Sequence, residues 1–151
     1  MKSMKLKQIS VLIENSPGRL FKLTKALGDA GINLRALNLV DTGEFGILRL
    51  LVSDLPKTRL ILMEKHVPAS VDEVVAAEIE DKPGALSAVL TPLQKMKVQI
   101  NYMYAVIGFS SGKAVMVFHF SDNDKAIEVL QQSGVKLIDA KAFGMLDPTE
   151  S

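Results

Sequence analysis

The 151-residue chain contains one sequence pattern twice, and this internal duplication limits what it can fold into. Residues 9–27 align with residues 75–93 at an offset of 66, so that Pro17-Gly18 falls on Pro83-Gly84. Beyond the central turn of each copy the offset becomes 68. The two additional residues lie in that turn, where insertions are tolerated. The chain is therefore expected to consist of two copies of one folding unit.

The hydrophobic pattern of each copy predicts the order strand, helix, strand, strand, helix, strand. In the first copy a helix is expected to begin at Pro17, with Leu20, Leu23 and Leu27 on one apolar face. Ser53 or Asp54 is expected to cap the second helix. Further strands of the first copy are predicted over 33–41, 45–52 and 69–73. In the second copy, helices are predicted over 84–96 and 123–133, and strands over 98–107, 113–120 and 135–140.

This order predicts an α+β protein with two ferredoxin-like βαββαβ units in tandem, each an antiparallel sheet with its helices on one face. The domains are expected at residues 1–72 and 73–151, the second with a short C-terminal tail. Gly31 and Gly134 are the predicted stops of two helices, since glycine readily adopts positive φ. Pro92 falls inside a predicted helix, where we expect a kink or a late start.

Composition excludes several classes of function. The net charge of +1 argues against nucleic-acid binding, and the absence of cysteine excludes disulfides, Cys-ligated zinc and a thiol nucleophile. Only His66 and His119 could add nitrogen ligands, and they lie in different copies, so neither a metal nor another cofactor is expected. Apolar runs are too short to cross a bilayer and the N-terminus lacks a signal peptide, which predicts a cytoplasmic protein without membrane contact.

Both copies carry a polar loop with Pro-Gly-x-Leu at the start of the first predicted helix. In this respect Glu14-Asn15-Ser16-Pro17-Gly18-Arg19-Leu20, followed by Ala30-Gly31-Ile32-Asn33-Leu34, resembles the ACT domain. The second loop, Glu80-Asp81-Lys82-Pro83-Gly84-Ala85-Leu86, resembles it as well, although Gln99 stands where the family usually has Asn. The resemblance implies a non-catalytic regulatory protein that binds a free amino acid.

A helix N-terminus can hold a carboxylate because its N–H groups are unpaired and its dipole end is positive. Gly18 and Gly84, lacking Cβ, would let a ligand approach the backbone. The candidates to face its ammonium group are Glu14, Asn15, Glu80 and Asp81. In the ACT family the effector lies where this loop meets the start of the second strand, at a domain or subunit interface. The implied ligand-binding residues are Asn15, Ser16, Pro17, Gly18, Arg19, Leu20 and Asn33 in the first copy, and Asp81, Lys82, Pro83, Gly84, Ala85, Leu86 and Gln99 in the second.

The resemblance also suggests a homodimer that acts on a metabolic enzyme. The main alternative to a free-standing amino-acid sensor is a dissociated regulatory subunit of an amino-acid biosynthetic enzyme, such as the small subunit of acetolactate synthase. Acylphosphatases share the βαββαβ plan and use an Arg and an Asn, for which Arg19 and Asn33 are candidates, but their phosphate loop differs. RNA-recognition modules also share the βαββαβ plan and stack bases on aromatic residues of their strands. Because the first strand of each copy lacks aromatic residues, Phe118 and Phe120 are better explained as packing residues.

Overall fold

The computed structural model describes residues 3–14 and 16–146, and these form seven strands and four helices. Their order is the predicted one, except that one continuous strand replaces the last predicted strand of the first copy and the first predicted strand of the second. The first half contains β1 (Lys5–Glu14), α1 (Arg19–Asp29), β2 (Leu34–Asp41), β3 (Phe45–Val52) and α2 (Leu55–Glu64). There follow β4 (Ala69–Glu80), α3 (Ala85–Lys95), β5 (Ile100–Ser110), β6 (Lys113–Phe120), α4 (Asn123–Gln132) and β7 (Lys136–Ile138). The offsets of 66 and 68 relate α1 to α3 and α2 to α4 residue for residue. The duplication is thus a structural repeat.

The second helix of each repeat begins at the expected cap. The Asp54 carboxylate accepts a hydrogen bond from the Lys57 N–H at 3.1 Å, and that of Asp122 accepts one from the Lys125 N–H at 3.0 Å. Each cap satisfies a donor that the helix itself leaves unpaired.

Both repeats have a sheet with two helices on one face. In the first, alternate residues of β1 and β3 pack against the apolar faces of α1 and α2, burying a core of Ile9, Val11, Leu23, Leu27, Ile32, Leu48, Leu50, Val52 and Leu62. In the second, β4 and β6 pack on α3 and α4, burying Val75, Ala77, Val89, Leu93, Met116, Phe118, Phe120, Ala126, Val129 and Leu130. Phe118 and Phe120 are therefore core residues.

The strands pair in the antiparallel ferredoxin-like arrangement. In the second repeat the order is β5-β6-β4-β7. In the first repeat β3 lies between β2 and β1, and the segment leading into β4 lies beside β1, where the Leu12 N–H donates to the Pro68 carbonyl at 3.0 Å. These pairings confirm the predicted fold class.

Several expectations differ from the structure in detail. The first helix begins at Arg19 rather than at Pro17, because Gly18 has a left-handed backbone conformation and ends the turn before it. The strand predicted over 69–73 does not end there, since β4 continues to Glu80. Of the two effects expected from Pro92, a late start of the helix is not found, because the first residue of α3, Ala85, corresponds to the first residue of α1.

The chain divides into two compact units. The main segment of one unit is Lys7–Asp72 and that of the other is Glu73–Ala140. The unit boundaries differ from the predicted domains at both termini. The segment 3–6 groups with Glu73–Ala140, where Lys5 Nζ forms an ion pair with the Asp124 carboxylate at 2.7 Å.

The segment 141–146 groups with Lys7–Asp72 rather than with the repeat that precedes it. Arg35 Nε donates to the Gly144 carbonyl at 3.0 Å, and the Leu146 N–H donates to the Ser53 carbonyl at 3.0 Å. The predicted tail is therefore part of the first repeat's unit. In the part of the chain that the structure describes, no helix combines the length and apolar character needed to cross a membrane.

Candidate functional site

Among the described residues, the helices that follow the two Pro-Gly loops begin without a side-chain cap. Gly18 and Gly84 occupy the N-cap positions of α1 and α3 at φ 87° and 83°, and neither N-cap position has a side-chain cap hydrogen bond. This contrasts with the Asp-capped α2 and α4. Glycine is needed at both positions because an L side chain is strained at such φ values, even though a Cβ would meet no atom within 4 Å.

Each loop carries an ion pair beside the helix start. In the first repeat Arg19 Nη2 lies 3.0 Å from a Glu14 oxygen. In the second, Lys82 Nζ lies 2.6 Å and Lys113 Nζ 3.7 Å from the Glu80 carboxylate. The hydrogen bond and charge of Lys82, helped by Lys113, hold the pKa of Glu80 below its ordinary value of 4.5, and the same contact raises the pKa of Lys82. Both loops therefore present paired charges of opposite sign.

The other loop residues support the turn. Ser16 accepts the Arg19 N–H through its carbonyl at 3.3 Å, and Lys82 accepts the Ala85 N–H at 3.2 Å. The Asp81 N–H donates to the Gly112 carbonyl at 3.0 Å. Exposed loop positions are Ser16, Pro17, Gly18 and Arg19, and Asp81, Lys82, Pro83 and Gly84, whereas Leu20, Ala85 and Leu86 are half-buried. Asn15 lies outside the described residues.

Asn33 and Gln99 lie at the other end of the first helix of their repeats. The Asn33 N–H donates to Ser53 Oγ at 2.8 Å, and its carbonyl accepts the Ser53 N–H at 2.9 Å. The Gln99 carbonyl accepts the Ser121 N–H in the same way at 3.0 Å. An 11-residue helix is about 16 Å long, so neither repeat brings this residue near its own Pro-Gly loop. Arg19 and Asn33 consequently do not form one acylphosphatase-like site within a repeat.

A cavity of about 550 Å³ lies beside the first loop, and we call it the N-terminal cavity. Its lining combines β1, the start of α1, the start of β3 and the turn between α2 and β4. The lining residues are Leu12, Ile13, Glu14, Arg19, Lys22, Leu23, Phe45, Lys65, His66, Val67 and Pro68. A smaller cavity of about 220 Å³ also involves this loop, and Glu14, Ser16 and Leu20 are among its lining residues.

The second repeat has a corresponding cavity of about 430 Å³, the C-terminal cavity. It is lined by Glu78, Ile79, Glu80, Lys82, Ala85, Ala88, Val89, Lys113, Gly134, Val135 and Lys136. At the offsets of 66 and 68, every residue lining the N-terminal cavity except Lys65 has its counterpart in this lining.

Sequence reasoning missed most of these cavity residues, including Lys22, Phe45 and Lys65. A signal was available, because Leu12 and Phe45 align with Glu78 and Lys113. A position that is apolar in one repeat and charged in the other is not part of the core that both repeats share.

Two βαββαβ repeats, each with an uncapped Pro-Gly loop beside a cavity, define a tandem module of the ferredoxin-like class. The model of the ACT domain pair family matches residues 4–146, and the chain belongs to this family. A crystal structure of a protein from Bacteroides thetaiotaomicron is 38% identical, with a TM-score of 0.88, over 95% of this chain and 98% of that one. The resemblance to ACT domains is confirmed.

More distant structures share the fold. The regulatory subunit of aspartate kinase from Thermus thermophilus has a TM-score of 0.62 at 13% identity, over 88% of this chain and 95% of that one. Aspartate kinase from Clostridium acetobutylicum has a TM-score of 0.56 at 16% identity, over 85% of this chain but only 32% of that one. Among curated proteins, no significant match to this chain was found.

Proposed function

We propose that the chain is a non-catalytic regulatory protein that binds a free amino acid at its Pro-Gly loops. The observation that carries this proposal is the contrast between two kinds of helix start. The α2 and α4 helices are capped by Asp54 and Asp122, whereas α1 and α3 have Gly18 and Gly84 at the N-cap and no side-chain cap hydrogen bond within the part of the chain that the structure describes. The uncapped starts offer N–H groups and positive dipole ends to a carboxylate. Membership of the ACT domain pair family supports regulation by amino acids.

An amino acid that touches both Asn33 and the first loop must bind between two chains. The two features are about 16 Å apart along α1, which exceeds the reach of a single amino acid. The proposal therefore includes a homodimer, with the loop of one chain and Asn33 of the other on the same ligand.

The alternative is a regulatory subunit that acts on a separate biosynthetic enzyme. It is supported by the similarity in fold to a regulatory subunit of aspartate kinase, 95% of which this chain covers. Both forms use the same effector site in a cytoplasmic protein. Co-purification of a larger catalytic partner from the source cells would favour the regulatory subunit.

The proposal is tested by thermal unfolding of the full chain with each of the twenty amino acids. A ligand at 100 times its dissociation constant adds about 2.7 kcal/mol to the free energy of unfolding. In a chain of this size the melting temperature then rises by roughly 5 to 10 °C. We expect such a rise with one amino acid or a few related ones.

The site is tested with a carboxylate placed at the helix start. Phe21 is 66% exposed on the first turn of α1, so Phe21→Glu should stabilise the helix by about 0.3–1 kcal/mol while competing with the ligand carboxylate. Phe21→Gln is the neutral control, and Ser87→Glu makes the same test at the corresponding position of α3. Lower affinity in at least one Glu variant, without loss of stability, is the expected result. Unchanged affinity in both would exclude the helix starts as the site.

A further inference from the structure

The two cavities occupy corresponding positions, but their charges are arranged differently. In the C-terminal cavity all three lysines are paired with lining carboxylates. Lys82 and Lys113 contact Glu80 at 2.6 and 3.7 Å, and Lys136 contacts Glu78 at 3.3 Å. The protein itself therefore supplies the anions that these lysines would otherwise attract.

The N-terminal cavity lacks this internal compensation. Its one lining carboxylate, Glu14, pairs with Arg19, while no carboxylate among the described residues forms an ion pair with Lys22 or Lys65. Three cationic side chains against one carboxylate leave a net charge of +2 with His66 neutral. A concave site of one charge sign concentrates ligands of the opposite sign.

At two positions the N-terminal cavity has exposed apolar side chains where the C-terminal cavity has charged ones. Leu12 and Phe45 are each 40% exposed, and their counterparts are Glu78 and Lys113. Ligand pockets typically combine apolar walls with a few placed polar groups, in volumes of roughly 300–1,000 Å³, and this cavity of about 550 Å³ fits that range. Its ligand should therefore carry apolar carbon as well as negative charge.

We propose that the N-terminal cavity, and not the C-terminal one, binds a small dicarboxylate, and that this ligand is an acidic amino acid. The Arg19–Glu14 pair has the two charges needed for an α-carboxylate and an α-ammonium group. Lys22, one turn along α1, and Lys65, from the end of α2, then hold the second carboxylate, with the methylene carbons between Leu12 and Phe45. The amino-acid identity rests on the proposed function, whereas the dicarboxylate chemistry does not.

Isothermal titration of the full chain tests this inference with L-glutamate, L-aspartate, L-glutamine, L-leucine and succinate. We expect an acidic amino acid to bind about tenfold more tightly than the neutral ones, since charge-assisted hydrogen bonds are the strong ones. The double variant Lys22→Gln/Lys65→Gln should weaken that binding about tenfold or more. The matched control, Lys113→Gln/Lys136→Gln in the C-terminal cavity, should leave it unchanged, with circular dichroism verifying that both variants fold.

The outcomes separate the two proposals. Binding of a neutral amino acid that does not depend on Lys22 and Lys65 overturns the cavity assignment and leaves amino-acid sensing intact. Lysine-dependent binding of succinate without binding of any amino acid supports the cavity and overturns amino-acid sensing. If none of the five compounds binds, the cavity assignment is overturned, and the screen of all twenty amino acids decides the proposed function separately.

Discussion

The two repeats have a positive φ at the same positions after their helices, but with different amino acids. The position after the first helix is Gly31 at φ 78° in the first repeat and Lys97 at φ 55° in the second. After the second helix, His66 at φ 56° corresponds to Gly134 at φ 78°. The left-handed conformation is therefore a property of the fold, and each repeat adopts it once with a residue other than glycine, at an energetic cost.

Replacing Lys97 by Gly should raise the free energy of unfolding by about 1 kcal/mol, because glycine has no steric penalty at this φ. The matched substitution Gly31→Lys should lower it by about the same amount, since a Cβ at Gly31 meets no atom within 4 Å and only the backbone conformation is affected. Urea denaturation measures both changes. Shifts of the same sign would contradict this explanation.

Among the elements, the β2 strand exposes large apolar side chains. Leu37 and Leu39 pair with Leu50 and Leu48, which are core residues beneath the helices. Leu37 and Leu39 themselves are 54% and 48% exposed. β2 lies at the end of the strand order, so its outer edge has backbone groups available for another strand. An apolar edge strand of this kind is suited to pairing with a second copy of the chain.

We expect the homodimer to form through β2. Leu39→Lys should then weaken self-association, because it places a charge in the interface. Ala105→Lys, at the corresponding exposed position of β5, is the matched control and should have no effect. Sedimentation velocity over a range of protein concentrations measures both variants. A dimer that tolerates Leu39→Lys would place the interface elsewhere.

At the scale of the whole molecule, the segments of the chain do not group in simple sequence order. Residues 141–146 group with the first repeat's unit, and among them Phe143 is buried at 3% exposure. The stability of the first repeat's unit therefore depends on residues that follow the entire second repeat.

Phe143→Ala should lower the free energy of unfolding by about 3–5 kcal/mol, the usual cost of removing a buried aromatic side chain. Hydrogen exchange should accelerate mainly in Lys7–Asp72, because that segment shares a unit with Phe143. Leu146→Ala is the control at an exposed apolar position of the same segment and should cost much less. Exchange that increases chiefly in Glu73–Ala140 would contradict the assignment of the tail.

Much of the fold and part of the site could be predicted from local sequence signals. The duplication, the element order, the Asp54 cap and the glycines that end helices depend on residues a few positions apart, where periodicity and capping chemistry act directly. The left-handed conformation of Gly18 could not be predicted in this way, because Pro-Gly is compatible with several turns. The cavity residues come from four segments of the first repeat that only folding brings together.

The sequence by itself determined that the chain has two βαββαβ repeats and that each has a Pro-Gly loop before its first helix, since these features follow from short-range patterns that occur twice. Only the tertiary structure decided that β4 continues across the predicted boundary and that the C-terminal tail belongs to the first repeat's unit. It also decided that Asn33 lies a helix length from its own loop. These features depend on packing and pairing between residues distant in sequence, for which no local pattern is required.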